Sequence, residues 1–139
     1  MKERRHMKET LSRHEWILME ALWNRHPMFL SEIMEATKSS VDWNSSSYST
    51  YLKRMTDKGL LGYKTISGNR CYSPLLRRED CIETESSYIL SKMTEDSKRL
   101  LLANLIEKSG LSEKDRAELQ ELIIRLGSDA KKENGHEDA

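Results

Sequence analysis

The sequence predicts a mainly α-helical chain with one small β-hairpin, arranged as a compact N-terminal domain and a helical C-terminal one. Three observations carry that expectation. Apolar residues recur at helical spacing through most of the 139 residues. Between Leu60 and Ser73 the period falls to two on either side of a Ser67-Gly68-Asn69 turn. The two parts also differ in charge: residues 1–78 hold 14 Lys and Arg against 8 Asp and Glu, and residues 79–139 hold 9 against 15. A basic part suits a polyanion, and an acidic part suits something else.

The first ten residues read as a polar arm, either a free tail or a source of phosphate contacts through Lys2, Arg4, Arg5 and Lys8. The first helix spans Ser12 to Asn24, opened by the capping box of Ser12 and Glu15. Trp16, Met19, Leu22 and Trp23 share its core face. His26-Pro27 breaks the helix, because proline disfavours helical backbone in the residue before it. A short second helix runs from Ser31 to Lys38, and Trp43 plugs the core ahead of the third.

The third helix has two faces. Tyr48, Tyr51, Leu52 and Met55 fall at i, i+3, i+4 and i+7, a buried stripe. Ser46, Ser49, Thr50 and Lys53 repeat that spacing on the other side, and all four donate hydrogen bonds. Short polar side chains let a helix lie deep in a groove and meet base edges or phosphates. A plain solvated face fits the stripe equally well. Asn44 is placed to cap this helix and Gly59 to stop it.

Leu60 to Ile66 and Arg70 to Ser73 make the hairpin, ended by Pro74. Three short helices and a hairpin are the parts of a winged helix-turn-helix, with the third helix in the major groove. In that frame Ser45, Ser46, Ser49 and Thr50 lie near bases, and Ser47, Lys53, Arg54 and Arg70 lie nearer phosphates. Arg54 has the alternative of pairing with a carboxylate of its own domain, and Arg70 that of a solvated loop charge. The DNA-binding domain is expected over 11–76.

A helical domain is expected over 77–127. Its fourth helix spans Glu79 to Met93, and its fifth, capped by Asp96, spans Ser97 to Ser109. The run LLLANLI at 100–106 is apolar nearly all round and calls for burial on more than one side. Gly110 ends that helix, Ser112 caps a sixth, Gly127 stops it, and 128–139 are expected to be disordered. Three such helices cannot hide their apolar surface alone. Pairing with a second copy would cover Tyr88, Ile89, Leu101, Leu102, Leu105, Ile106, Leu119, Leu122, Ile123 and Leu126. A two-fold dimer would offer two reading helices to a palindromic site.

Several classes are disfavoured. No apolar run approaches the roughly 20 residues needed to span a bilayer, and the N-terminus has no apolar signal segment, so a cytoplasmic protein is expected. Cys71 and Cys81 are ten apart, and His6, His14, His26 and His136 do not cluster, so neither a disulfide framework nor a metal site is indicated. No nucleotide-binding or hydrolase motif occurs, so neither an enzyme nor a cofactor is expected.

The chain resembles the penicillinase-repressor family (BlaI, MecI and CopY type) over about residues 11–126. The markers are LSRHEWILMEALW at 11–23, DW at 42–43, LKRMTDKGLL at 52–61, GNRCYSPL at 68–75 and the helical stretch from Leu100 to Ile123. The pattern E-W-x-x-M-x-x-x-W at 15–23 is the most specific. The resemblance implies a homodimeric transcriptional repressor on a palindromic double-stranded DNA operator, controlling β-lactam-resistance or related stress genes. It further implies release by a membrane sensor-protease that cuts the dimerisation helices, at the position of Asn104-Leu105 here. Leu105 stands where that branch often carries Phe, and Asn104 also reads as a polar break in a leucine run. The recognition helix is richer in serine than relatives, and the tail lacks the C-x-C pairs of the copper branch. Two other readings remain: an adaptor that keeps the fold without sequence-specific DNA binding, and a thiol sensor through Cys71 or Cys81.

Overall fold

The structure, a computed structural model, describes residues 9–137, with side chains through residue 130. The basic positions expected in the N-terminal arm, Lys2, Arg4, Arg5 and Lys8, lie outside the described residues. The order of elements is α1 (Arg13–Asn24), β1 (Met28–Phe29), α2 (Leu30–Thr37), α3 (Ser45–Asp57), β2 (Leu61–Ile66), β3 (Asn69–Pro74), α4 (Arg78–Ser91), α5 (Glu95–Lys108) and α6 (Glu113–Glu137). The chain divides into two compact units that meet at Lys92 and Met93.

In the first unit, α1 starts as expected. Ser12 N–H donates to Glu15 Oε1 at 2.9 Å, and Glu15 N–H donates to Ser12 Oγ at 3.4 Å. Its Leu18, Met19 and Leu22 are fully buried, together with Ile33 of α2 and Tyr48, Leu52 and Met55 of α3. Trp16 and Trp23 are only partly buried. An indole N–H needs a partner, and each finds one beyond α1: Trp16 Nε1 donates to Glu85 Oε1 at 3.3 Å, and Trp23 Nε1 donates to Leu76 O at 2.8 Å.

Helix α3 ends in a Schellman motif. Leu60 N–H reaches Met55 O at 2.9 Å and Gly59 N–H reaches Thr56 O at 3.0 Å, with Gly59 at φ +83°. That left-handed turn sends the chain straight into β2. Strands β2 and β3 pair antiparallel, Ile66 opposite Asn69, across a two-residue turn in which Ser67 and Gly68 both have positive φ. Positive φ at both positions gives the twist that hairpin strands share. The wing is therefore a true hairpin. It belongs to a three-stranded sheet, order β1-β3-β2, because Met28 and Phe29 pair with Tyr72 and Cys71. A two-residue strand carries no alternation to read, so nothing in the local sequence marks it. The same strand moves the start of α2 from the expected Ser31 to Leu30, where the Glu32 carboxylate accepts the Phe29 N–H at 2.9 Å.

Helix α4 belongs to this first unit, although by sequence it groups with the helices that follow. Cys81 is buried in the core. Arg78 Nε donates to Glu20 Oε1 at 3.2 Å and its guanidinium lies 5.6 Å from the Trp23 ring centre.

The second unit holds α5 and α6. Thr94, two residues before the expected Asp96, caps α5, its Oγ1 accepting the Ser97 N–H at 3.3 Å. Gly110, at φ +64°, follows the end of α5. Ser112 and Asp115 form a reciprocal cap at the start of α6. Gly127 does not stop α6, which runs on to Glu137 through most of the segment expected to be disordered. One glycine in a helix interior costs only about 1 kcal/mol, too little to end a helix by itself.

The packing behind α3 sets the stability of the first unit. Replacing Leu52, which has no exposed surface, by alanine should cost about 2–5 kcal/mol, read as a lower urea midpoint. A loss below 1 kcal/mol would mean that α3 is not anchored as described.

Candidate nucleic-acid interface

Helix α3 separates its two faces cleanly. On the inner side Tyr48 is buried, and its phenol meets Thr37 Oγ1 at 2.5 Å. Thr37 Oγ1 itself donates to Ile33 O at 2.9 Å, so the phenol is the donor in that pair. The chain of bonds ties α3 to α2, and no buried side-chain polar atom among the described residues lacks a partner. Beside it, Trp43 meets Tyr48 and Tyr51 edge-on at 5.2 and 4.9 Å, and His14 stacks on Tyr51 at 4.1 Å. Tyr51 is thus a flank residue that joins α3 to the first turn of α1.

On the outer side Ser45, Ser46, Ser49, Thr50, Lys53 and Arg54 are all exposed, and Ser47 is half-buried. The serines are not equivalent. Asn44 Oδ1 accepts the Ser47 N–H at 2.8 Å and the Ser46 hydroxyl at 3.1 Å, and Thr50 Oγ1 donates to Ser46 O at 3.0 Å. Lys53 pairs with Asp57 at 3.1 Å along its own helix. Arg54 makes no ion pair among the described residues. On the wing, the Arg70 guanidinium lies over the Tyr63 ring, 4.1 Å from its centre. Arg70 is therefore held against the face of the hairpin. Lys64, one position along β2 from Tyr63, is exposed and makes no ion pair among the described residues. It was a strand residue with no motif around it, and only the pairing that exposes it reveals a further cation.

Lys58, the C-cap of α3, crosses to α1, where its Nζ lies 2.7 Å from Glu15 Oε2. Burial alone would raise the Glu15 carboxyl. The Lys58 ammonium and the Ser12 backbone and hydroxyl hydrogen bonds outweigh burial and hold it below its ordinary value. The two ends of α1's cap and α3's C-terminus are thus locked by one partly shielded ion pair.

In α5 and α6 the expected self-association residues are largely uncovered in the single chain. Leu102, Leu105, Ile106, Leu119, Ile123 and Leu126 are exposed, and Leu101 and Leu122 are half-buried. In the first unit Tyr88 is exposed and Ile89 half-buried. Asn104 spends its amide within α5, donating to Leu100 O at 2.9 Å.

Both cysteines are buried and free. Burial first, and then the nearby Asp80 carboxylate, push the Cys81 thiol up to about 11. A thiol so raised holds little thiolate near neutral pH. No group of three or more His, Cys, Asp or Glu among the described residues is placed to hold a metal. No described helix is long and apolar enough to cross a membrane.

A family model described as "Penicillinase repressor" matches residues 11–125. The chain belongs to the penicillinase-repressor family. It is 24% identical over 113 residues to the methicillin resistance regulatory protein MecI of Staphylococcus aureus, covering 81% of this chain and 92% of that protein. It is 22% identical over 113 residues to the penicillinase repressor of Bacillus licheniformis, covering 81% and 88%. A looser likeness, with a TM-score of 0.44 and 13% identity over 84% of this chain and 75% of the other, is to BpsR of Bordetella bronchiseptica, solved to describe regulation of its DNA binding by 6-hydroxynicotinic acid. The winged helix and the family together make this a DNA-binding repressor, not a catalyst. The helices and the hairpin bear out the mainly α fold with a small wing, and the family match bears out the resemblance carried by the markers at 11–23, 42–43, 52–61 and 68–75.

The Glu15–Lys58 pair has a pH signature. A carboxyl depressed in the folded state contributes stability above its unfolded value, about 4.5, and that contribution is lost as pH falls through the folded value. Glu15→Gln should therefore lower the urea midpoint at pH 7 and flatten its decline below about pH 4.5. An unchanged acid limb in the variant would contradict the assignment.

Proposed function

We propose that the chain acts as a homodimer on a palindromic operator, with α3 in the major groove and the wing beside it. The observation that carries this reading is the outward edge of α3: a row of short hydroxyl side chains, exposed and backed by the buried Tyr48, Leu52 and Met55. Ser45, Ser46, Ser49 and Thr50 approach base edges. Ser47, Lys53, Arg54 and Arg70 serve the phosphates, and Lys64 joins them. Residues up to Lys92 form the DNA-binding unit with α4 as its last helix, and the unit from Met93 onward carries most of the self-association.

The exposed leucines and isoleucines of α5 and α6 support pairing with a second copy, because a water-soluble surface seldom leaves so much apolar area uncovered. Control of a β-lactam-resistance or related stress gene is favoured by the likeness to MecI and to the Bacillus licheniformis repressor. Release by a membrane sensor-protease would act at Asn104-Leu105. That bond lies in mid-helix, so cutting it requires a local unwinding of α5. Asn104 and Leu105 are both exposed there, which favours access once the turn opens.

Fluorescence anisotropy with the chain's own promoter tests the reading. Tight binding with a steep negative dependence on salt is expected, and Arg54→Ala should reduce the slope by about one. Ser49→Glu with Lys53→Glu should abolish preference for that promoter over random duplex. Equal binding to both duplexes at low salt, by the unsubstituted chain, would refute the proposal. Sedimentation at micromolar concentration should return a dimer, and a monomer throughout would remove the palindromic arrangement.

A further inference from the structure

We infer that Ser46 and Thr50 read DNA as hydrogen-bond acceptors, each facing the exocyclic amino group of an adenine or a cytosine and not a purine N7 or a base carbonyl. The inference rests on the DNA-binding reading of α3 and adds the polarity of two of its contacts.

A hydroxyl has one proton and two lone pairs. The Thr50 proton is already placed, since Oγ1 donates to Ser46 O at 3.0 Å, one turn back along α3. The Ser46 proton is placed too, since Oγ donates to Asn44 Oδ1 at 3.1 Å. That same oxygen takes the Ser47 N–H at 2.8 Å, so both of its lone pairs are used by the cap that starts the helix. Turning either hydroxyl toward the groove as a donor would give up one hydrogen bond for each one gained. Turning its lone pairs outward gives up nothing. Both residues are exposed, so the lone pairs that remain are open to a ligand lying along α3.

In the major groove the hydrogen-bond donors are adenine N6 and cytosine N4, whereas purine N7, guanine O6 and thymine O4 accept. Acceptors on the protein therefore select amino groups. Ser45 and Ser49 differ, since neither hydroxyl has a partner among the described residues, and each stays free to donate or accept. The first two turns of α3, residues 45–51, carry no Lys or Arg for a bidentate contact with guanine.

Atomic substitution in the DNA separates the two polarities. The probe is a duplex selected by the full chain from a randomised pool. Replacing adenine by purine, or cytosine by 2-pyrimidinone, deletes only an amino group. Replacing adenine or guanine by its 7-deaza form deletes only N7. Deleting the amino group that faces Thr50 should weaken binding about three- to tenfold, and that loss should vanish in Thr50→Val. Ser46→Ala should do the same at a second position, and Ser49→Ala at neither. A 7-deaza loss that vanishes in Thr50→Val or Ser46→Ala would overturn the inference, as would amino-group losses that neither variant alters. Both outcomes leave DNA binding intact. Failure of the unsubstituted chain to enrich any duplex over the random pool would instead overturn the DNA-binding reading and this inference with it.

Discussion

The buried bond from the Tyr48 phenol to Thr37, and on to Ile33 O, fixes where α3 sits. Around it Leu52 and Met55 of α3 fill a core shared with Leu18, Met19 and Leu22 of α1. Apolar packing alone tolerates rotation of a helix about its axis, since one methyl group can replace another. A buried phenol does not, because turning it away would strand a polar atom out of reach of water. The hydroxyl edge of α3 therefore points outward for a reason located on its opposite side. The Glu15–Lys58 pair adds a second restraint at the far end of the same helix, and the Schellman turn at Gly59 hands that orientation on to the wing.

Much of this was legible in the residues because the signals were local. The i, i+3, i+4, i+7 spacing identified Tyr48, Leu52 and Met55 as buried. Ser12 with Glu15, Asn44, and Gly59 marked helix ends that the structure reproduces. What could not be read depends on partners far along the chain. Met28–Phe29 is a strand only because β3 lies beside it. Trp16 and Trp23 looked like core residues, yet each keeps an edge free to bond Glu85 or Leu76, and those contacts carry α4 into the first unit. Glu15 read as half of a capping box and is also the buried anchor of Lys58. Arg70 read as a tip cation and is stacked on Tyr63. The hydroxyl commitments of Ser46 and Thr50 are local in sequence, but no residue pattern states which way a proton points.

The proposed DNA interface would divide labour between neutral and charged groups. On that proposal the reading edge carries little net charge, so long-range attraction would come from Arg54, Lys64 and Arg70 at the rim. Short hydroxyls allow close approach but reach only what lies directly beneath them. In the proposed complex, the restraint that holds α3 in one orientation would thus decide which base edges its serines can meet. The exposed leucines and isoleucines of α5 and α6 sit in the other unit, so the proposed self-association and the proposed base reading would draw on separate surfaces.

In the proposed complex the outer edge of α3 occupies a major groove. Dimethyl sulfate footprinting of the duplex bound by the unaltered chain tests it most directly, since that reagent methylates guanine N7 in the major groove and adenine N3 in the minor groove. Guanine N7 methylation should be lost in two clusters, separated by about one helical turn or a multiple of it. A saturated complex in which every guanine N7 stays as reactive as in free DNA would contradict it.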